Sequence, residues 1–384
     1  MAGVYVHIPY CSQACSYCDF YFSTSRKSEP AFWVALVKEL NQRMDYFPTG
    51  TQLDSLYFGG GTPGLPEAKA YADFFKQLAQ IYPLKTDAEV TLEVNPENIT
   101  ADKLQAWSDM GINRLSIGAQ AFQDSELAWM NRSHTAEEAI GRIQLSQAAG
   151  FDNLSVDLIY ATPTLQDADW AKNIDKLIDL GIPHISAYAL TVEPKTLLAH
   201  EIQKGQMPPP EDAVFERQFD MLVDRLTQAG YTHYEISNFA KAGFQSRHNS
   251  SYWTGTPYLG LGPSAHGFDG SSRYANSANV WKYIEAIESG KLAETFVEVL
   301  TPTQRFNERV MLGLRQAEGV TLSELQDLLP DIDWAAFQQT WQDYIQADLM
   351  QADANRLCLT TAGRKQADGI AAEFFVTDGE ALQT

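Results

Sequence analysis

Cysteine is scarce in this sequence: four residues among 384, too few and too unevenly spread for a disulfide framework. Positive charge is also short. Only 28 Lys and Arg face 49 Asp and Glu, a formal net charge of −21. A surface that acidic repels phosphate backbones and anionic headgroups, so neither nucleic-acid binding nor a membrane-surface role is expected. No apolar run approaches the length of a membrane span, which argues against stable membrane insertion. The opening residues, MAGVYVHIPYC, have neither the basic region nor the apolar stretch of a signal peptide. A cytoplasmic protein is the expectation. Repeats and low-complexity tracts are missing too, while a hydrophobic fraction of 45% supplies a sizeable core.

Against that scarcity, three of the four cysteines fall within the eight residues CSQACSYC, Cys11, Cys15 and Cys18. In a reducing compartment such crowding points to metal or redox chemistry.

Short β-branched stretches alternate with longer segments of helical period. Strands are expected at residues 4–8, 55–58, 89–94, 114–117, 153–158 and 184–189. Helices are expected at 29–46, 66–81, 101–110, 135–149, 167–180 and 211–229, with Gly111, Gly150 and Gly230 placed to end three of them. This alternation predicts an α/β fold of βαβ units on a parallel sheet. Six units suit a partial (β/α)6 TIM-like barrel, and an open doubly wound sheet fits the pattern as well. From Tyr231 to about Asn276 the texture turns rich in Gly, Ser and aromatics, too aromatic for a disordered linker. Beyond Thr301, helical patterns at 304–314, 321–328 and 334–347 precede a hairpin-like pair, the layout of a small winged-helix-like α+β domain. The expected division is 1–230 for the barrel, 231–300 for an extension, and 301–384 for the C-terminal domain, read as a structural cap.

Three thiolates on a loop after a strand suit one soft metal centre. Zinc normally takes four protein ligands, with Asp19 or His7 available as the fourth. A cubane iron–sulfur cluster with three thiolates keeps one iron open to a small ligand. Spacing leaves both possibilities standing. Gly59, Gly60 and Gly61 in YFGGGTPG allow backbone to approach a ligand closely, as they also would in a simple tight turn. Glu93, Gln120 and Asp157 stand at or near strand ends, and Arg132 lies in the turn NRSH. Barrel strand ends converge on one face, where active sites form.

CSQACSYC resembles the C-x3-C-x2-C pattern of the radical S-adenosylmethionine superfamily. The resemblance implies that Cys11, Cys15 and Cys18 hold a [4Fe–4S] cluster whose unique iron binds the methionine end of S-adenosylmethionine. It assigns Tyr5, Gly60, Gly61, Thr62, Glu93, Gln120, Arg132 and Asp157 to cofactor binding. Glu93 or Asp157 suits ribose hydroxyls, and Arg132 suits a carboxylate. With HISAYALTVEP, GYTHYEISNFA and GLGPSAHGF, the whole chain is similar to the family around oxygen-independent coproporphyrinogen III dehydrogenase, which includes a heme-chaperone branch. Phe20 stands where the dehydrogenases carry a fourth cysteine, and only ten residues precede Cys11. Both departures favour the chaperone branch. HNSSYW, from His248 to Trp253, matches that branch's HNxxYW motif and implies heme binding, with His248 as a ligand to the iron. From the residues alone, a satisfied histidine in an aromatic loop is an equal reading. The expected partners are heme and a heme-acceptor protein, the chain itself being a monomer or homodimer. The competing expectation is an enzyme that decarboxylates coproporphyrinogen III.

Overall fold

The computed structural model describes residues 1–377; residues 378–384, the end of the expected C-terminal domain, lie outside the described residues. β1 (Gly3–Ile8), β2 (Leu53–Gly60), β3 (Leu84–Val94), β4 (Arg114–Gln120), β5 (Leu154–Tyr160) and β6 (His184–Ala189) pair in parallel, in chain order. The period of two sorts their side chains. Val4, Val6 and Ile8 of β1 are fully buried in the main apolar core with helix residues such as Phe32, Leu36 and Leu40. Tyr5 and His7 face the other way, into the space the sheet curves around. Helices intervene between successive strands, as a parallel sheet requires. Gly111, Gly150 and Gly230 take φ of +87°, +89° and +81° directly behind three helices, left-handed positions that favour glycine.

The extension does not form a separate lobe. β7 (Thr232–Glu235) and β8 (Asn238–Ala240) add antiparallel strands beyond β6. β9 (Tyr258–Leu261) joins β1 in parallel, followed outward by antiparallel β10 (His266–Phe268), β11 (Ser272–Asn276) and β12 (Glu294–Val299). The result is one sheet of 12 strands with β12 and β7 as its two edges. Glu39, buried on the helix Glu29–Gln42, fastens the extension to the barrel. Its carboxylate accepts from Arg43 Nε at 3.1 Å, Asn276 Nδ2 at 2.7 Å, Gly262 N at 2.9 Å and the Tyr283 hydroxyl at 2.8 Å.

The C-terminal segment has its own apolar core, which includes Phe306, Val310, Leu325, Phe337, Leu357 and Ile370. Its helices Pro302–Leu314, Leu322–Leu328 and Trp334–Gln346 pack with a sheet of β13 (Val320–Thr321), β15 (Arg356–Leu359) and β14 (Met350–Ala352). Thr301 and Gln304 make a reciprocal capping box and Pro302 follows the cap, so the first helix starts where the sequence dictates. This unit touches both flanks of the large sheet. Ala317 N donates to Tyr234 O (2.9 Å) and Arg364 Nη1 to His233 O (3.0 Å) on one flank. On the other, Gln304 Nε2 donates to Glu298 (2.8 Å) and Arg273 pairs with Glu308. Among the described residues, no helix is long and apolar enough to cross a membrane.

Candidate functional site

The loop behind β1 carries Cys11, Cys15 and Cys18, and it is tied by hydrogen bonds to three places in the fold. Cys11 N donates to Ser23 O (3.1 Å), Ser16 N to Met130 O (3.3 Å) and Leu198 N to Ser16 O (3.0 Å). Asn131, at φ +56°, turns its side-chain amide onto Ala14 O at 2.6 Å. Asparagine tolerates that left-handed backbone better than most residues.

All three thiols line one cavity of about 440 Å³ at the C-terminal ends of β2 to β6. Seven of the residues expected to bind cofactor line the same cavity: Gly60, Gly61, Thr62, Glu93, Gln120, Arg132 and Asp157. The sequence separation between the first cysteine and Asp157 is thus closed by strand-end convergence alone. Gly60 has φ +108°, and a Cβ there would lie 2.7 Å from the His7 ring. A Cβ on Gly61 would lie 2.9 Å from Tyr10 O and 3.0 Å from Cys11 Sγ. Glycine is therefore required at Gly60 by the His7 ring on β1 and at Gly61 by the cysteine loop, beyond any turn preference.

Polar groups surround the thiols. Thr62 Oγ1 lies 3.5 Å from Cys11 Sγ, and Arg132 Nη1 lies 3.5 Å from Cys15 Sγ. The other end of the Arg132 fork is fixed by Asn95 Oδ1 (2.8 Å) and Gly118 O (2.7 Å). Gln120 reaches the cavity from a backbone at φ +67°, where β4 slips register against β5. Glu93 accepts from the Tyr57 hydroxyl at 2.7 Å. Burial pushes its carboxyl up to about 7; the Tyr57 hydrogen bond opposes this and the nearby Asp157 carboxyl reinforces it. Asp157 accepts from Ser116 Oγ at 3.2 and 3.3 Å, and burial raises its carboxyl as well.

Burial also raises the Cys11 thiol and pushes Cys18 up to about 11. Such thiols stay protonated at neutral pH until a metal displaces the proton. Among the described residues, no three His, Cys, Asp or Glu side chains are gathered tightly enough to grip a single metal ion. The thiols ring a space instead of meeting at a point. Three soft donors around a cavity, with a guanidinium beside one of them, fit a polynuclear iron–sulfur centre by their donor chemistry.

Two expected residues are not brought to this cavity. Tyr5 lies behind it, its hydroxyl 3.2 Å from His7 Nδ1 and its ring against Tyr57. His248 is at the other end of the barrel, beside the beginnings of β1 and β2. It sits in the helix Arg247–Trp253 with 0% exposure. Its Nδ1 bonds Ser55 Oγ (2.8 Å), its Nε2 bonds the Tyr252 hydroxyl (2.9 Å), and its ring stacks on Tyr57 at 5.0 Å. Burial, with the Arg114 charge behind it, pulls the imidazole down to about 3. Both ring nitrogens are committed, so this conformation offers no free imidazole nitrogen at His248. Conversely, Asn95, Ser116 and Tyr188 line the cavity without having been singled out. Asn95 follows Glu93 by two residues, a signal the strand-end argument already contained.

The radical SAM superfamily model matches residues 5–188, and the HemN C-terminal domain model matches residues 300–365. Heme chaperone HemW of Mycobacterium tuberculosis is 32% identical over 96% of this chain and 93% of its own length. The HemW of Bacillus subtilis is 30% identical over 95% and 96%, respectively. The solved structure of coproporphyrinogen III oxidase (HemN) from Escherichia coli superposes with a TM-score of 0.85 over 98% of this chain and 90% of that one. At 23% identity that likeness is one of fold. The chain belongs to the HemW heme chaperone family, within the radical SAM superfamily.

Proposed function

We propose that this protein is a cytoplasmic heme chaperone that holds a [4Fe–4S] cluster through Cys11, Cys15 and Cys18, binds S-adenosylmethionine exchangeably, and passes heme to an acceptor protein. Radical SAM membership implies the cluster and S-adenosylmethionine. The observation that carries the residue assignment is the shared cavity: three thiols and seven polar or glycine positions from separate strand ends and their following turns line one space. Bound there, the cluster would supply an open iron and, when reduced, an electron for cleaving the sulfonium. The chain supplies position. Glu93 and Asp157 offer carboxylate oxygens to ribose hydroxyls, Arg132 offers its charge and the remaining Nη1 donor to the methionine carboxylate, and Gly60 and Gly61 leave room for the ligand's approach. Phe20, 67% exposed at the cavity's edge, presents a ring where a fourth sulfur would stand in the dehydrogenases. The second reading is the coproporphyrinogen decarboxylase, favoured by the fold shared with HemN.

The deciding experiment is an anaerobic hemin titration of cluster-reconstituted protein in the Soret region, run beside a coproporphyrinogen turnover assay. The expected result is saturable binding near one heme per chain and no decarboxylated product. Turnover with 5′-deoxyadenosine release, without specific heme binding, would establish the enzyme instead.

A pH dependence follows from the Glu93 environment. Because its carboxyl is raised to about 7, ionisation, and with it acceptance from ribose hydroxyls, is completed only above that value. Affinity for S-adenosylmethionine should strengthen between about pH 6 and pH 8. In Glu93→Gln this component of the pH profile should be lost. Equilibrium dialysis of both proteins across that range checks it; identical profiles would exclude Glu93 from the contact.

A further inference from the structure

The His-Asn-x-x-Tyr-Trp segment lies beneath the cavity, beside the beginnings of β1 and β2. Its helix, Arg247–Trp253, is gripped at both ends. At its start, the buried Glu89 carboxylate accepts from Arg247 N (3.0 Å) and His248 N (2.9 Å). At its end, Trp253 O accepts from Arg309 Nη1 (3.0 Å) and Gln316 Nε2 (3.1 Å) of the C-terminal unit. Between those grips His248 is pinned from two sides, by Ser55 on β2 and by Tyr252 one helical turn on. The imidazole then stacks on the Tyr57 ring, tilted by 24° with centroids 5.0 Å apart. Tyr5 completes the stack, 6.1 Å from Tyr57 and 6.5 Å from His248. Gly59 fits beneath this layer only because it lacks a side chain: a Cβ would stand 2.9 Å from Tyr5, 3.0 Å from Tyr57 and 3.1 Å from Glu93 Oε1. The Tyr57 hydroxyl ends the series on Glu93 at 2.7 Å.

We propose that His248 and Tyr252 are positioning residues for the cofactor cavity: they fix the Tyr57 ring from below, and Tyr57 holds the Glu93 carboxylate in the cavity wall. This rests on the reading that Glu93 contacts S-adenosylmethionine. A packed ring has few alternative rotamers, so it conveys a fixed position over a distance that a single hydrogen bond cannot. The motif would thus serve the cavity from the opposite end of the barrel, through packing on Tyr57.

The test is equilibrium dialysis of S-adenosylmethionine against cluster-loaded protein, with iron content measured for each variant. Glu93→Gln is the reference. Tyr57→Phe is expected to weaken binding about tenfold near neutral pH, the scale of a lost hydrogen bond to a charged group. The loss should shrink at higher pH, because the missing hydroxyl lets the Glu93 carboxyl rise further. Asp157 of β5, Arg114 of β4, Tyr5 of β1, Tyr188 of β6 and Cys11 also face that carboxyl, and all are unchanged in the variant. His248→Ala should weaken binding about threefold, and adding it to Tyr57→Phe should cost less than about twofold more, since both act through one carboxylate. Ser55→Ala, which removes one pin without opening a large cavity, should act in the same direction if His248→Ala does not fold. Wild-type affinity in Tyr57→Phe and in the His248 or Ser55 variant, beside a weakened Glu93→Gln, would overturn the proposal. Full additivity in the double variant would overturn it as well. Wild-type affinity in Glu93→Gln would remove the Glu93 contact itself, and the proposal with it.

Discussion

Alanine at Cys11, Cys15 or Cys18 is expected to abolish cluster incorporation, leaving reconstituted protein almost free of iron and without the absorbance near ~400 nm that such centres show. Three thiolates are the least that leaves only one iron unligated, so removing any one exposes a second iron to solvent. No further thiol lies nearby among the described residues to compensate: Thr62, Arg132 and Tyr17 against the thiols offer hydroxyls and a cation, and Asp19 a hard carboxylate. The fourth cysteine, Cys358, is on β15, where its thiol meets Glu318 O at 3.2 Å. Cys358→Ala should load iron as the wild type does, which makes it the matched control. The loop's anchors to Ser23, Met130, Leu198 and Asn131 use backbone groups and the Asn131 side chain, so the alanine variants should retain the wild-type melting temperature before reconstitution. Iron and sulfide analysis with visible spectra settles the point. A Cys15→Ala protein with full iron content would refute the assignment of that ligand.

Glu39→Ala should cost about 3–5 kcal/mol of stability, the range for breaking a buried charged pair by removing one partner. Its carboxylate is 0% exposed and meets four donors from four places in the fold. The alanine leaves Arg43, itself 6% exposed, with Glu294 as its remaining ion-pair partner, and strands the Gly262 N–H and the Tyr283 hydroxyl without acceptors. Unsatisfied buried donors are costly because water cannot reach them. Glu39→Gln should cost less, since one side-chain oxygen still accepts. Denaturant unfolding of the three proteins gives the ranking, and a loss below about 1 kcal/mol for the alanine would contradict the buried-pair argument.

The six barrel strands were legible because parallel, two-sided burial writes itself as short Val-, Ile- and Leu-rich runs. Residues 4–8 and 184–189 fall within or coincide with β1 and β6. Helix ends were legible where glycine takes a positive φ, and less so where the chain tightens first. The helix expected at 66–81 begins only at Ala72, after a 3-10 turn from Ala68 to Tyr71. The cavity's side chains were legible because they stand at strand ends. The extension was not, since β9 is four residues long and pairs in parallel with a strand more than two hundred residues earlier in the chain. No local pattern records such a pairing. The place of His248 was hidden for the same reason. An imidazole next to Tyr and Trp reads alike whether it faces a ligand or a barrel interior, and only closure of β1 and β2 around it decides.

The large sheet is a strip curled on itself, with β7 and β12 as its loose ends. The C-terminal unit grips near both of those ends, through Tyr234 and His233 on one side and Arg273 and Glu298 on the other. A split ring held by a clasp has its bore set by the clasp. The spacing of the two edges is therefore held in part by a unit none of whose described residues lines the cavity.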